Sequence, residues 1–341
     1  MMLQGFDRLP ELLLPWYQAH KRTLPWREIP AVPYHVWLSE IMLQQTRVEA
    51  VIPYYHRFLE KLPDISSLAA ADDETILKLW EGLGYYTRVR NLRNAAQKIM
   101  TDHNGIFPSD VKEIRALPGI GDYTAGAIAS IVYGQCEPAV DGNVLRVTAR
   151  FAGITDDITK TQIKQQITDA LRQIYPAGKT PEFTQSLMEL GALVCLPNGA
   201  PKCNECPLRE LCVARLDHIT DLLPIRKPKK PRKEEQRTIL ILHSKGKIAL
   251  RKRPAKGLLA SLWEFPSLPG YLTADEVAEH YPECRYWQRG PEAVHIFSHI
   301  EWHMRSFTAE SPEELEGFQY FTPDQFPAVP SAFKAFLPVR T

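Results

Sequence analysis

Four of the six cysteines lie within residues 195–212, and this cluster constrains the fold more than any other feature of the sequence. Gaps of seven, two and five residues separate Cys195, Cys203, Cys206 and Cys212. Four thiolates so spaced can surround one metal centre, and both a tetrahedral zinc ion and a cubane iron–sulfur cluster accept four cysteines. The short, proline-containing segments between them favour a loop folded around a metal, with unrelated core thiols as the alternative.

The composition excludes several classes of protein. Hydrophobic residues make up 44% of the chain and charged residues 24%, which is too apolar for a disordered or collagen-like chain. The net charge is +1, so contacts with nucleic acid would have to come from local basic patches and backbone amides. No apolar run reaches the roughly 18 residues of a membrane-spanning helix. Residues 1–15 lack the basic region of a signal peptide, so we expect a protein of a reducing cytoplasm without a membrane partner.

The length of 341 residues predicts two domains. Residues 1–222 carry apolar side chains three or four positions apart, which predicts an all-α domain that includes the cysteine loop. The clearest helical segments are 34–58, 73–80, 88–100, 109–117, 122–133 and 161–175.

A basic, proline-rich stretch at 224–233, PIRKPKKPRK, predicts a linker that we place at 223–236. It is either a solvated tether or a strap that contacts phosphates. Residues 237–341 predict a mixed α/β domain. It has strand-like runs at 238–243, 247–251 and 294–305, a hairpin signal at 244–246, and short helices at 274–281 and 331–337.

The sequence LPGIG at 117–121 joins two helical segments. Its glycines permit tight turns and leave backbone amides unobstructed, and a helix begins near Asp122. The segment is either a plain helix–helix turn or a nest of N–H groups that holds one phosphate without reading any base.

Two carboxylates are candidates for chemistry. Glu40 lies in a largely apolar helical stretch, as either a surface residue or a buried acid with a raised pKa. Asp141, in the sequence VDGNV, is either a helix N-cap or a functional group. Together the two could cleave a glycosidic bond, if one protonates the leaving group while the other stabilises the sugar cation.

Several stretches together resemble the adenine DNA glycosylase (MutY) family over nearly the whole chain. They are LPWR at 24–27, PYHVWLSEIMLQQTRV at 33–48, GLGYY at 82–86, LPGIG at 117–121, DGNV at 141–144, GLLASLWEFP at 257–266 and the four cysteines. The resemblance implies a helix-hairpin-helix glycosylase of the endonuclease III superfamily with a Nudix-like C-terminal domain. It also implies a [4Fe–4S] cluster on the cysteines. The substrate would be duplex DNA with adenine opposite 8-oxoguanine or guanine, and removal of this adenine would prevent G:C to T:A transversions. The enzyme would be a monomer associated with the nucleoid in a bacterial-type cytoplasm.

The same resemblance implies the roles of individual residues once adenine is flipped out of the duplex. Glu40 would be the general acid for adenine N7, Asp141 the stabiliser of the sugar cation and Asn143 its polar support. The remaining residues would bind the substrate. Trp26 and Arg27 would form the wall of the adenine pocket, and Gln44 and Gln45 would fill the space that the flipped adenine leaves in the duplex. Tyr86 would be the aromatic wedge beside the damaged guanine. Leu117, Gly119 and Gly121 would form the DNA-binding hairpin, and Phe297, Ser298 and His299 would sense 8-oxoguanine. Without the family, Tyr85 and Tyr86 are interpreted as core residues.

Tyr123 stands where the bifunctional relatives carry a nucleophilic lysine. Since a phenol cannot form an imine, we expect a monofunctional enzyme. The C-terminal domain has no RExxEE pattern after Glu264, so we expect no nucleotide hydrolysis. The first cysteine gap is seven residues where the family usually has six, which predicts a local bulge at 196–202.

Three other functions are compatible with parts of the sequence. They are a bifunctional glycosylase/lyase for oxidised pyrimidines, a non-catalytic DNA-binding module with a structural metal, and a nucleotide pyrophosphatase acting through the second domain. Tyr123 argues against the lyase, and the presence of both Glu40 and Asp141 argues against the non-catalytic module. The missing glutamate cluster argues against the pyrophosphatase.

Overall fold

A computed structural model describes residues 3, 5–227 and 231–338. The chain forms two compact units. The first comprises Met1–Ala71 and Arg90–Pro228, and the second comprises Asp72–Val89 and Lys229–Thr341. The predicted boundaries near 222 and 237 do not anticipate that residues 72–89 belong with the C-terminal part. Residues 228–230 of the predicted linker lie outside the described residues.

The N-terminal two thirds of the described chain is helical, as the apolar periodicity predicts. The helices are α1 (Leu9–His20), α2 (Pro33–Leu43), α3 (Val48–Lys61), α4 (Ile65–Ala70), α5 (Asp73–Leu79), α6 (Thr87–Asp102), α7 (Val111–Arg115), α8 (Asp122–Ile131), α9 (Gly142–Ala152), α10 (Thr161–Arg172), α11 (Thr180–Leu193) and α12 (Val213–Leu216), with 3₁₀ turns at Phe6–Arg8 and Cys203–Glu205. Across the described residues, no helix is both long enough and apolar enough to cross a bilayer.

Local sequence explains where several of these helices begin and end. Asp64, Asp72, Asp110 and Asp141 cap α4, α5, α7 and α9 by accepting hydrogen bonds from backbone amides of the first turn. The predicted helical segment 34–58 is two helices, because the chain turns between α2 and α3 where Gln45 adopts a φ of 60°.

One core of the first unit lies between α1, α9, α10 and α11. Burying each large side chain there contributes about 1.5–3 kcal/mol. Its fully buried members include Phe6, Leu9, Leu13, Ile167, Phe183 and Leu190. This packing fixes the N-terminus of α9 against α11, where the site described below lies.

The second unit contains a mixed sheet. Its strands are β1 (Lys233–Ser244), β2 (Lys247–Lys252), β3 (Trp263–Glu264), β4 (Ser267–Pro269), β5 (Arg285–Arg289), β6 (Ala293–Ile296), β7 (Ile300–Glu310) and β8 (Gln319–Phe321), and helix α13 (Ala274–His280) precedes β5. The order along the sheet is β3-β2-β1-β7-β5, with β4 paired to β1, β6 to β7 and β8 to β2. β1 runs parallel to β7, from Lys233 beside Ile300 to His243 beside Glu310. The predicted linker thus extends four residues too far, into β1.

Both faces of β1 are covered. Ile239 and Ile241 pack into a core that includes the 3₁₀ helix Ser331–Phe336, whereas Leu240 and Leu242 pack on the opposite face toward α13. The predicted single run 294–305 is an antiparallel hairpin of β6 and β7, with residues 297–299 at its turn.

Residues 72–89 are attached to the rest of the second unit by hydrogen bonds. The Val329 backbone amide donates to Glu81 Oε1 at 2.9 Å, and Lys78 Nζ donates to the Phe326 carbonyl at 3.1 Å. The second unit therefore includes the GLGYY loop as well as the sheet.

Candidate active site

A cavity of about 740 Å³ opens in the first unit between α2, α8, α9 and α11. It brings together residues that are far apart in the sequence, including both candidate carboxylates. The predicted site residues that line it are Trp26, Arg27, Glu40, Gln44, Gln45, Gly121, Tyr123, Asp141 and Asn143.

Glu40 is a buried acid and not a surface residue. Its exposed fraction is 6%, and the Tyr123 hydroxyl donates a hydrogen bond of 2.6 Å to its Oε2. Burial and, to a smaller extent, the charge of Asp141 raise the pKa of Glu40 to about 7, against the opposing effect of the Tyr123 hydrogen bond. A carboxyl with this pKa is protonated in a substantial fraction of molecules at neutral pH, as a general acid requires.

Asp141 caps helix α9 and lines the cavity at the same time, so its two interpretations are compatible. Its Oδ1 accepts hydrogen bonds from the amides of Asn143 at 2.9 Å and Val144 at 2.8 Å, and its Oδ2 accepts from Asn143 Nδ2 at 2.8 Å. Burial raises the pKa of Asp141, while these hydrogen bonds favour its ionised form. Asp141 therefore has three N–H donors where Glu40 has one phenol, which suits Asp141 to remain the anion.

Asn143 is itself held in place. Arg146 Nη2 donates to Asn143 Oδ1 at 2.9 Å and to the Gly191 carbonyl at 2.8 Å. A Cβ on Gly191 would lie 2.6 Å from the Cβ of Asn143, so only glycine permits this approach of α11 to α9. Arg146 Nε also donates to the Cys195 carbonyl at 2.8 Å, which connects this corner to the cysteine loop.

Sequence reasoning missed a buried ion-pair group at one wall of the cavity. Glu189 accepts hydrogen bonds from Arg22 Nε at 2.8 Å and from Arg27 Nη2 at 2.7 Å, and its side chain is 1% exposed. Burial acts to raise the pKa of Glu189, but the two arginines lower it to about 2. The signal was available, because Glu189 interrupts the apolar sequence of α11 as Glu40 interrupts that of α2.

The LPGIG segment forms the turn between α7 and α8. Gly119 has a φ of 76°, and a Cβ there would lie 2.6 Å from the Cβ of Asn91, so the close approach requires glycine. Gly121 caps α8 without a side chain, which leaves first-turn amides of α8 for an external anion. Leu117 is buried, so packing is its structural role.

The predicted damage-sensing residues lie on the turn between β6 and β7. Ser298 and His299 are exposed, whereas Phe297 packs edge-on against Trp302 with ring centroids 4.9 Å apart. The hydroxyls of Tyr85 and Ser298 share a hydrogen bond of 3.2 Å.

The predicted wedge residue, Tyr86, is buried with an exposed fraction of 5%. Its neighbour Tyr85 is 49% exposed and has a φ of 48°. The placement of the two side chains therefore disagrees with the assignment of the wedge to Tyr86, because a wedge must protrude from the surface.

Glu264 of the LWEFP stretch is buried and neutralised. Arg251 Nε donates to its Oε1 at 2.9 Å, and Arg253 forms a short ion pair with its Oε2. Within residues 5–227 and 231–338, no group of three or more His, Cys, Asp or Glu is arranged to hold a metal ion. Glu264 therefore belongs to no such group, and its carboxylate is paired with two arginines.

The four clustered cysteines line one small, mainly apolar cavity beside Leu190, Val194 and Phe151. The seven-residue gap is absorbed where the Lys202 amide donates to the Val194 carbonyl at 3.0 Å, which closes the loop 195–201. The thiols share a cavity although no three described side chains surround a single ion. Four thiols around one cavity could hold a metal centre, and both a tetrahedral zinc ion and a cubane iron–sulfur cluster accept four cysteines.

Comparison with known proteins places these features in context. The HhH-GPD superfamily base excision DNA repair protein model matches residues 38–173, and a NUDIX domain model matches residues 237–337. The adenine DNA glycosylase of Mus musculus is 36% identical over 352 residues, covering 85% of this chain and 68% of the relative. That of Buchnera aphidicola subsp. Baizongia pistaciae is 41% identical over 260 residues, covering 75% of this chain and 72% of the relative.

Solved structures match the helical part. A thermostable thymine-DNA glycosylase aligns with a TM-score of 0.57 at 26% identity, over 62% of this chain and 97% of the other. A trapped endonuclease III–DNA covalent intermediate aligns with a TM-score of 0.52 at 23% identity, over 62% of this chain and 95% of the other. The latter similarity concerns the fold alone.

Proposed function

The chain belongs to the adenine DNA glycosylase family of base excision repair, and we propose that it acts as a monomer on adenine opposite 8-oxoguanine or guanine in duplex DNA. It would cleave the N-glycosidic bond by hydrolysis, without a lyase step. The observation that carries the proposal is that one cavity is lined by a buried acid, Glu40, and by a carboxylate that accepts hydrogen bonds from backbone amides, Asp141.

The first chemical role is proton donation. Glu40 would protonate N7 of an everted adenine, which makes the base a better leaving group. The Tyr123 hydrogen bond to Glu40 Oε2 leaves the other carboxyl oxygen to carry the proton toward the base. The pKa of Tyr123 is raised well above its ordinary value, chiefly by burial, so the phenol remains a donor at all working pH values.

The second role is stabilisation of the sugar. As the bond breaks, positive charge develops on the deoxyribose, and the Asp141 carboxylate would stabilise it electrostatically. The Asn143 side chain and two backbone amides hold that carboxylate in one orientation, so little reorganisation is needed in the transition state. Water would then attack the sugar carbon.

A hydrolytic outcome is supported by the composition of the cavity wall. No lysine is among the described residues that line the cavity, although Arg22, Arg27 and Arg47 are. A Schiff base requires an amine that can lose its proton, and a guanidinium does not do so at these pH values. We therefore propose that the product is an intact abasic strand.

The partner base would be recognised by the second unit. We propose that the turn bearing Ser298 and His299 contacts 8-oxoguanine and that Tyr85, in place of Tyr86, is the aromatic wedge beside it. The hydrogen bond between Tyr85 and Ser298 supports this pairing, because it connects an exposed ring to an exposed turn.

We also propose that Cys195, Cys203, Cys206 and Cys212 bind a [4Fe–4S] cluster. Four thiolate donors in an apolar cavity fit such a cluster, and its bound form would hold the loop 195–212 in one conformation. The cysteine loop contacts Arg146, so folding of the loop would also steady the site around Asn143.

Single-turnover excision tests the proposal most simply. Excision is measured on three duplexes that carry adenine opposite 8-oxoguanine, guanine or thymine. The protein should release adenine faster from the first two duplexes than from the third. Glu40→Gln should lower the rate by about 10²–10⁴-fold, because the proton donor is removed while the shape is kept. Efficient borohydride trapping of a covalent complex would contradict the hydrolytic mechanism.

The role of the second unit has its own test. Tyr85→Phe removes only the hydroxyl that contacts Ser298, and it should reduce the rate ratio between 8-oxoguanine and guanine partners by roughly fivefold, the value of one hydrogen bond. The matched control is Tyr286→Phe, which removes another exposed hydroxyl from the same unit and should leave the ratio unchanged. An unchanged ratio in Tyr85→Phe would contradict the proposed sensing contact.

A further inference from the structure

The segment that follows the cysteine loop is fixed to the first unit by backbone contacts. Arg150 Nε donates to the Leu223 carbonyl at 2.8 Å, and the Ile158 amide donates to the Ile225 carbonyl at 3.1 Å. The Leu223 side chain is also buried. Residues 223–227 are therefore a strap held against α9 and the loop after it, and not a free tether.

The strap directs one cation toward the active-site cavity. Arg226 Nη2 lies 4.0 Å from the position that a Cβ would take on Gly142. Gly142 lines the cavity and directly follows Asp141. The guanidinium of Arg226 therefore lies close to the first turn of α9, at a distance that a side chain on Gly142 would also permit.

The next cation of the strap faces elsewhere. Hydrogen bonds from Thr159 hold the pKa of Asp157 below its ordinary value, and the charge of Lys227 lowers it further. Lys227 is therefore placed near a carboxylate outside the cavity. The two adjacent basic residues have the same sign and similar exposure but different surroundings, which makes one a control for the other.

Arg226 is available to bind an anion. It is exposed, and no carboxylate of the described residues forms an ion pair with it. The oxygens of Asp141 are already occupied by Asn143 and Val144. An everted nucleoside brings its two flanking phosphates to the mouth of the cavity, because the sugar–phosphate backbone is continuous.

We propose that Arg226 binds one of the two phosphates that flank the everted adenosine. This inference rests on the proposed eversion of adenine, and it adds a binding contact that the helical unit receives from the strap. The contact positions the nucleotide and carries no base information. Its loss should weaken capture of the duplex and leave the rate of bond cleavage at saturation nearly unchanged.

The test uses the full-length protein and single-turnover excision across a range of enzyme concentrations, with an A:8-oxoguanine duplex. Arg226→Ala should raise the half-saturating concentration by about fivefold to tenfold and keep the plateau rate within about twofold. The duplex affinity of this variant should also depend less on salt: the slope of log affinity against log salt concentration should be shallower by about one unit. Arg226→Lys should recover much of the loss, and Lys227→Ala should match the unaltered protein more closely than Arg226→Ala does.

Neutral backbone analogues then locate the contact. A methylphosphonate replaces either the 5′ or the 3′ phosphate of the target adenosine in two further duplexes. On one of them, Arg226→Ala and the unaltered protein should half-saturate at the same concentration. Equal half-saturation of Arg226→Ala and Lys227→Ala on the native duplex would overturn the proposal, as would an Arg226→Ala deficit that persists on both analogues. Failure of the unaltered protein to excise adenine would instead refute the proposed function.

Discussion

The Tyr123 hydroxyl lies 2.6 Å from Glu40 Oε2, so the first turn of α8 touches the buried carboxyl of α2 across 83 positions of sequence. The hydrogen bond stabilises the ionised form of Glu40 and lowers its pKa, whereas burial raises it to about 7. The proton affinity of the acid therefore depends on a residue of α8, the helix that follows the LPGIG turn.

Replacing this phenol should move the pH dependence of excision in a defined direction. Glu40 must be protonated to act, so the single-turnover rate should fall as the pH rises through about 7. Tyr123→Phe removes a hydrogen bond to the ionised form, so the pKa of Glu40 should rise and the alkaline limb should move to higher pH. Tyr133→Phe removes a hydroxyl that donates to the Phe107 carbonyl and should leave the limb in place. A limb displaced to lower pH in Tyr123→Phe would contradict this account.

Asp141→Asn separates the capping role from the catalytic role. Asparagine is also a good N-cap, so we expect a loss of stability below about 1 kcal/mol, measured by urea unfolding. The excision rate should nevertheless fall by at least about 10²-fold, because the anion opposite the sugar cation is lost. Asp110→Asn makes the same change at the cap of α7 and should affect neither quantity appreciably. Near-normal excision by Asp141→Asn would mean that capping is the whole role of Asp141.

Glu189→Gln should destabilise the first unit. The pKa of Glu189 is depressed to about 2 in the folded protein, so its ion pairs stabilise the fold above the unfolded pKa near 4.5, and this contribution is lost as the pH falls toward 2. At neutral pH we expect a loss of about 2–3 kcal/mol, since Arg22 and Arg27 lose the charge that compensates them. Glu182→Gln, at an exposed pair of the same helix, should cost less than about 0.5 kcal/mol. Equal unfolding curves for both variants would contradict a stabilising role for the ion pairs of Glu189 with Arg22 and Arg27.

Iron and sulfide analysis checks the cluster. The purified protein should be yellow-brown with iron and sulfide, and Cys206→Ser should lose both the colour and the iron. Cys136→Ser changes an exposed cysteine outside the cysteine loop and should keep them. Colourless protein with stoichiometric zinc would contradict the [4Fe–4S] assignment.

Much of the fold follows from local sequence, whereas long-range placement does not. The apolar periodicity predicts α5, α6, α8 and α10 closely, because it depends on neighbours three or four residues apart. It misses the break at Gln45, where a single residue with positive φ separates two helices with a similar spacing of apolar residues. It also merges β6 and β7 into one strand, since the alternation of side chains continues through the turn at 297–299.

The site shows the same division. Glu40 and Asp141 could be named from their motifs, but their shared cavity depends on the packing of α2, α8 and α9. Tyr85 and Tyr86 are chemically equivalent neighbours, and only the turn after Gly84 decides which ring is exposed. The attachment of residues 72–89 to the second unit rests on contacts such as that of Glu81 with Val329, 248 positions away, which no local pattern reveals.

The central claim is that Glu40 delivers a proton to N7 of an everted adenine, and a substrate analogue tests it most directly. Single-turnover excision is measured on two duplexes that carry adenine or 7-deazaadenine opposite 8-oxoguanine, with binding of both duplexes measured in parallel. The account predicts that both duplexes bind but that only adenine is released, because 7-deazaadenine has a carbon in place of the nitrogen that accepts the proton. Release of 7-deazaadenine at the rate of adenine would contradict it.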